Sequence, residues 1–101
     1  MIKGKTASGF EFEVPEGLKK DVKLLRAVRD FYKAEKEGNQ EMLLDKALDL
    51  PIAVLGNSEN EERLYKHLES VHGRALIDDL MAELTEIVNV AAEEEKAIKN
   101  S

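Results

Sequence analysis

The chain has 101 residues, 43% of them hydrophobic and 36% charged, with a net charge of −6 and no cysteine. That length suits one domain with a modest core, and the apolar share excludes a disordered chain. The lack of cysteine excludes disulfides and thiolate chemistry. The acidic sum argues against nucleic acid as a ligand, because phosphate binding rests on Lys and Arg.

Residues 1–15 read as a β-hairpin. Phe10, Phe12 and Val14 alternate with Glu11 and Glu13, the period-two signature of a strand with one buried face. Ala7-Ser8-Gly9 supplies a short turn in which Gly can take a positive φ. A lone hairpin is marginal in water, so this one is expected to dock on helices or on another chain. The start, Met1-Ile2-Lys3-Gly4, lacks the apolar stretch of a secretory signal, which predicts a cytoplasmic protein.

The rest reads as helix. The first helix is expected from about Leu18 to Glu37, with Leu18, Val22, Leu25, Val28 and Tyr32 at spacings of three and four, widened by Leu24 and Phe31. Gly38 ends it and Asn39 can cap the next. A second helix is expected over Gln40 to Leu50, its apolar side made by Leu43, Leu44, Ala47, Leu48 and Leu50. Pro51 should interrupt it, since it lacks an N–H and pushes Leu50 away from helical ψ, with Ile52 to Leu55 continuing as a short turn of helix that Gly56 ends. Ser58-Glu59-Asn60-Glu61 has the form of a capping box. The third helix then carries Leu64, Tyr65, Leu68 and Val71 up to Gly73. In the fourth, Ile77, Leu80, Met81, Leu84, Ile87, Val88 and Ala91 keep the best periodicity in the chain. Val90, Ala91 and Ala92 prolong that stripe beyond what a small bundle is expected to cover. Glu93-Glu94-Glu95 oppose the macrodipole, so fraying is expected from about residue 93. The reading is α+β, mostly α, in a single domain 1–101: an N-terminal β-hairpin packed on a bundle of about four helices, with the helical part at 18–98.

Catalytic resources are few. Ser8, Ser58, Ser70 and Ser101 fall in a turn, a cap, a helix end and the terminus, none in a Gly-x-Ser-x-Gly elbow. His67 and His72 lie roughly 140° apart on a helix, too far to share a metal without other ligands. The acidic residues before Gly73 that a calcium loop requires are missing. Lys3-Gly4-Lys5-Thr6 lacks the strand and first Gly of a phosphate loop. Lys19, Lys20, Lys23, Arg26 and Arg29 are interrupted by acidic residues at 16, 21 and 30 and read as a solvated face. No catalytic, metal or cofactor site is therefore expected. Apolar helix faces and an open hairpin edge remain as means of association.

Taken in order, Lys3-Gly4-Lys5-Thr6, Ser8-Gly9-Phe10-Glu11-Phe12, the helix start around Asp21 and Leu24-Leu25, Tyr65-Lys66-x-Leu68, Gly73-Arg74, Leu80-Met81-x-Glu83-Leu84 and Lys99-Asn100-Ser101 make a pattern over most of the chain. It resembles the small tail assembly chaperones of long-tailed bacteriophages and prophages of Gram-positive hosts. One departure is Ala75-Leu76, where a Ser or Thr cap would be expected after Gly73-Arg74. The resemblance implies a non-catalytic protein of the bacterial cytoplasm that coats the long, helical tape measure protein. It implies self-association, and contact with the tail tube protein through a longer frameshifted product, for which Ile98-Lys99-Asn100 offers a slippage site if encoded by adenines. A structural tail or head–tail component, or a small helical adaptor, is the alternative. The expected contact residues are Phe10 and Phe12 on the hairpin and Leu84, Ile87, Val88 and Ala91 on the last helix, each weighed against a role in the core.

Overall fold

The alternation of the first strand pair is realised directly. The computed structural model describes residues 1–100, and in it β1 (Ile2–Lys5) pairs antiparallel with β2 (Glu11–Val14), Ile2 opposite Val14 and Gly4 opposite Phe12. Thr6 N–H donates to Phe10 O and Gly9 N–H to Thr6 O, both at 3.0 Å. Gly9 sits at φ 99°, the left-handed position that closes a three-residue hairpin loop. Ile2, Phe10, Phe12 and Val14 are buried while Glu11 and Glu13 are exposed.

Among the described residues four α-helices follow: α1 (Val22–Glu37), α2 (Gln40–Leu55), α3 (Ser58–His72) and α4 (Ile77–Lys99). The mostly helical α+β plan, a hairpin on four helices, is thus as the sequence reads. Ser101, in the terminal tripeptide quoted above, lies outside the described residues.

Boundaries and faces differ in instructive ways. Leu18 to Lys20 form a short 3-10 turn after Gly17. The α-helix starts at Val22, because Asp21 caps it by accepting from Leu24 N–H at 3.0 Å. With that phase Leu24 and Ala34 turn inward, joined by Ala27, Val28 and Phe31. Val22, Leu25 and Tyr32, expected in the apolar stripe, face solvent at 66%, 52% and 60% exposure. Pro51 does not interrupt α2. The helix runs on to Leu55 with Leu50, Pro51, Val54 and Leu55 all buried. A mid-helix proline costs about 3 kcal/mol, and burial of a Leu or Val returns about 2 kcal/mol each, so packing outweighs the local penalty. Leu44 and Leu48, expected on the apolar side, are exposed instead.

The capping box is also displaced by one residue. Asn57, not Ser58, caps α3, accepting from Asn60 N–H at 2.8 Å. Asn60 in turn donates through Nδ2 to Leu55 O, which ties the end of α2 to the start of α3. Val71 is exposed, leaving Leu64 and Leu68 as the buried contacts of α3. α4 runs past Glu93 to Lys99, where fraying was expected. Glu95 Oε1 accepts the Gly17 N–H at 2.7 Å and so anchors that last stretch to the segment before α1.

The core is one cluster beneath the hairpin. β1 lies along α4, β2 meets α2, and α1 packs along α2, whereas α1 and α4 barely touch. Ile2, Val14, Leu64, Leu68 and Ile87 are the most completely enclosed large apolar side chains. The hairpin covers the late part of α4: Ala91 is buried, and Val90 packs on the cluster. That end of the stripe therefore needs no partner to cover it.

Candidate partner-binding groove

Because α1 and α4 both pack on α2 without closing on each other, an apolar groove of about 210 Å³ opens between them. Leu50 and Val54 of α2 make its floor, Leu24, Val28 and Phe31 one wall, and Met81, Leu84 and Val88 the other. Tyr32, Thr85 and Asn89 stand at the rim and are exposed. The groove follows from phase. On α4, residues 81, 84, 85 and 88 lie on one side of the apolar stripe, and 87 and 91 on the other, so α4 serves groove and core with adjacent lines of side chains.

Of the six contact residues expected from sequence, the structure brings only Leu84 and Val88 to this groove. Leu84 is buried at its base and Val88 is half-buried in its wall. The other four lie in the core and not at the groove. Phe10, Phe12, Ile87 and Ala91 are 3%, 5%, 0% and 3% exposed, enclosed by the docking of the hairpin onto α4 and α3. Phe10 lies between two α3 side chains, the Arg63 guanidinium 5.2 Å from its ring centre and the His67 ring at 5.4 Å. Arg63 also donates to Glu11 O at 2.9 Å.

The hairpin tip carries a polar cluster that the sequence did not reveal, since its members come from three separate elements. Ser8 Oγ lies 2.8 and 3.1 Å from the carboxylate oxygens of Glu83 and 2.9 Å from His67 Nε2. Glu83 is buried at 7% exposure, and the adjacent Ala7 N–H donates to Glu86 Oε2. A hydroxyl has one proton. Ser8 gives it to the Glu83 carboxylate, and His67 Nε2 meets the same hydroxyl oxygen in a role set by the tautomer of its ring. The trio joins side chains from the hairpin turn, α3 and α4. What it does is fasten the turn to α3 and α4. The nearest signal in the sequence is Glu83, a charged residue within the apolar periodicity of α4.

On the far side of α2, Tyr65 Oη donates to Glu61 Oε2 at 2.8 Å. Burial first, then this bond and the charges of Glu61 and Glu62, push the phenol up to about 12. Among the described residues no helix is long and apolar enough to cross a membrane. Comparison of the chain with protein-family models, with curated proteins and with solved structures finds no match.

Proposed function

We propose that this protein is a non-catalytic phage tail assembly chaperone that holds helices of the tape measure protein in the groove between α1 and α4. The observation that carries the reading is the groove itself, apolar from floor to walls and open along two helices. At about 210 Å³ it falls below the roughly 300 Å³ at which small-molecule pockets begin. It suits a few apolar side chains projecting from one face of a partner helix, at i, i+3 or i+4, and i+7. A long helical protein rich in such faces aggregates when they are exposed, and an acidic cover keeps the complex soluble.

Nothing in this role needs bond chemistry. Binding must be reversible, because the tape measure protein has to pass into the growing tube, and a shallow groove gives moderate affinity. The test is co-expression with the long helical protein encoded beside it. Recovery of a soluble complex, with that partner insoluble alone and the chaperone lost from finished particles, supports the reading. Retention in the particles favours a structural tail component, and a partner that is soluble alone and unbound defeats the proposal.

A further inference from the structure

A second cleft opens between α2, α3 and the start of α4, and its lining differs in kind from that of the groove. Leu80 lies buried at its base, Leu48 of α2 and Tyr65 of α3 line its sides, and Ala75 and Ile77 bound the end beside the α3–α4 turn. The space measures about 440 Å³. Leu48 and Ile77 are 51% and 37% exposed, and Ile52, one turn on from Leu48, is 43% exposed. An open apolar patch rimmed by polar residues marks a surface for association.

The rim is acidic, and helix phase makes it so. On α3, Glu62, Tyr65 and Glu69 recur at spacings of three and four, and both carboxylates line the cleft with the tyrosine. On α2, Asp45 and Ile52 stand three residues before and four after Leu48, within about 60° of it around the helix. Asp45, Glu62 and Glu69 are all exposed. The ion pairs among the described residues are Arg29 with Asp30 and His72 with Asp79, so none of these three carboxylates has a cationic partner. Arg74, beside Ala75, is exposed and does not line the cleft. The α1–α4 groove, by contrast, has no charged residue in its lining.

From this we infer that the α2–α3 cleft receives a basic amphipathic helix of a partner protein, its apolar stripe flanked by Lys and Arg. Gly56-Asn57 alone joins α2 to α3, and both helices line the cleft, so a partner helix can seat its ridge of side chains between two helical walls. From Asp45 to Ile52, and again from Glu62 to Glu69, is about 10 Å along a helix, or two turns. Two apolar side chains at i and i+3 or i+4 fill that length, and cations one turn to either side reach the three carboxylates. The stem of a Lys or Arg can also lie against the Tyr65 ring, whose hydroxyl is already committed to Glu61 at 2.8 Å. The same carboxylates repel phosphates, which disfavours a nucleic acid or an anionic membrane in this cleft. The inference does not depend on what the α1–α4 groove binds.

Anisotropy of a labelled peptide, titrated with the full chain, tests it. The probe is an amphipathic peptide of about 18 residues, long enough to form a helix, with leucines along one stripe and Lys and Arg beside them. Its control carries Glu in place of every Lys and Arg. The parent should bind the basic peptide at least tenfold more tightly than the control, and several-fold more weakly at about 500 than at about 50 mM NaCl. Glu62→Lys with Glu69→Lys should lose at least tenfold for the basic peptide and turn the preference toward the acidic one. Glu93→Lys with Glu94→Lys changes the net charge equally, at exposed sites about 24 Å along α4 from Ile77. That pair should stay within about twofold of the parent, because screening confines the effect of such distant charges. All four sites are exposed, and far-UV circular dichroism should show both variants folded. On binding to the parent, amide resonances of residues 45–52, 62–69 and 75–80 should shift most. No binding, equal affinity for the two peptides, or parental affinity in the Glu62→Lys, Glu69→Lys protein would overturn the inference. So would an equal loss in both variants, or resonance shifts centred on the α1–α4 groove.

Discussion

The ring of Phe12 occupies the space that a side chain on Gly4 would need. A Cβ at Gly4 would lie 2.5 Å from Phe12 Cζ and 2.9 Å from Val90 Cγ1, closer than carbon atoms approach without one of them moving. Glycine is required here by packing and not by backbone angle, as the aromatic ring lies across its cross-strand partner and seals the hairpin against α4. Gly4→Ala should therefore destabilise the fold by about 2 kcal/mol through overpacking. Urea denaturation will show this as a lower midpoint with an unchanged slope. Combining it with Phe12→Leu should cost less than the two single changes added together, since the smaller side chain makes room.

Glu95 anchors the end of α4. Its carboxylate receives the Gly17 N–H from 78 positions back along the chain, and this offsets the unfavourable placement of acidic residues near a helix C-terminus. Glu95→Ala should cost about 1 kcal/mol, the worth of a partly exposed bond to a charged acceptor. Its clearer mark is local. Amide exchange of residues 93–99 should accelerate strongly while that of α2 and α3 changes little. Unchanged exchange in α4 would show that packing of Ala91 and its neighbours holds the helix without this bond.

These two contacts mark the limit of what the sequence discloses. Local rules were enough for the hairpin, because alternation at Phe10, Phe12 and Val14 and a left-handed Gly9 are properties of adjacent residues. The glycines at 38, 56 and 73 likewise close their helices. Helix phase was less legible: the row Val22, Leu25, Tyr32 has helical spacing as good as the row that is buried. Asp21 as cap and the close fit of small Ala27 and Ala34 decide between them. At Pro51 the local rule was outweighed by burial on all sides. On α4 a single stripe serves both core and groove, and periodicity cannot tell Val88 from Ile87. Only the placement of α1 does that.

Tyr65 gives a pH prediction with a definite sign. Burial and the Glu61 bond raise the phenol from 10.0 to about 12, so the folded state favours its neutral form. The stability this contributes is complete below about pH 10 and is lost as the pH rises through about 12. Tyr32→Phe leaves Tyr65 as the sole tyrosine, and its absorbance titration should then have a midpoint near 12. Adding Glu61→Gln removes the charged acceptor and should lower that midpoint. A midpoint near 10 in the Tyr32→Phe protein would mean that Tyr65 is open to water and unbonded.

The groove is tested most sharply by two neighbours on one helix. Val88 is half-buried in the groove wall and Ile87, one residue earlier, is fully enclosed at 0% exposure. A carboxylate at 88 can reach water along the open groove, so Val88→Glu should cost only about 1 kcal/mol and leave the circular dichroism unchanged. A carboxylate at 87 has neither water nor a partner, and several kcal/mol of desolvation is comparable to the whole stability of a small domain. Ile87→Glu should therefore be unfolded or lose its cooperative transition. With the fold intact, Val88→Glu should weaken capture of an amphipathic helix from the tape measure protein at least tenfold, measured by anisotropy of a labelled peptide. Parental affinity in a folded Val88→Glu protein would mean that the helix binds elsewhere, and the groove would no longer support the chaperone reading.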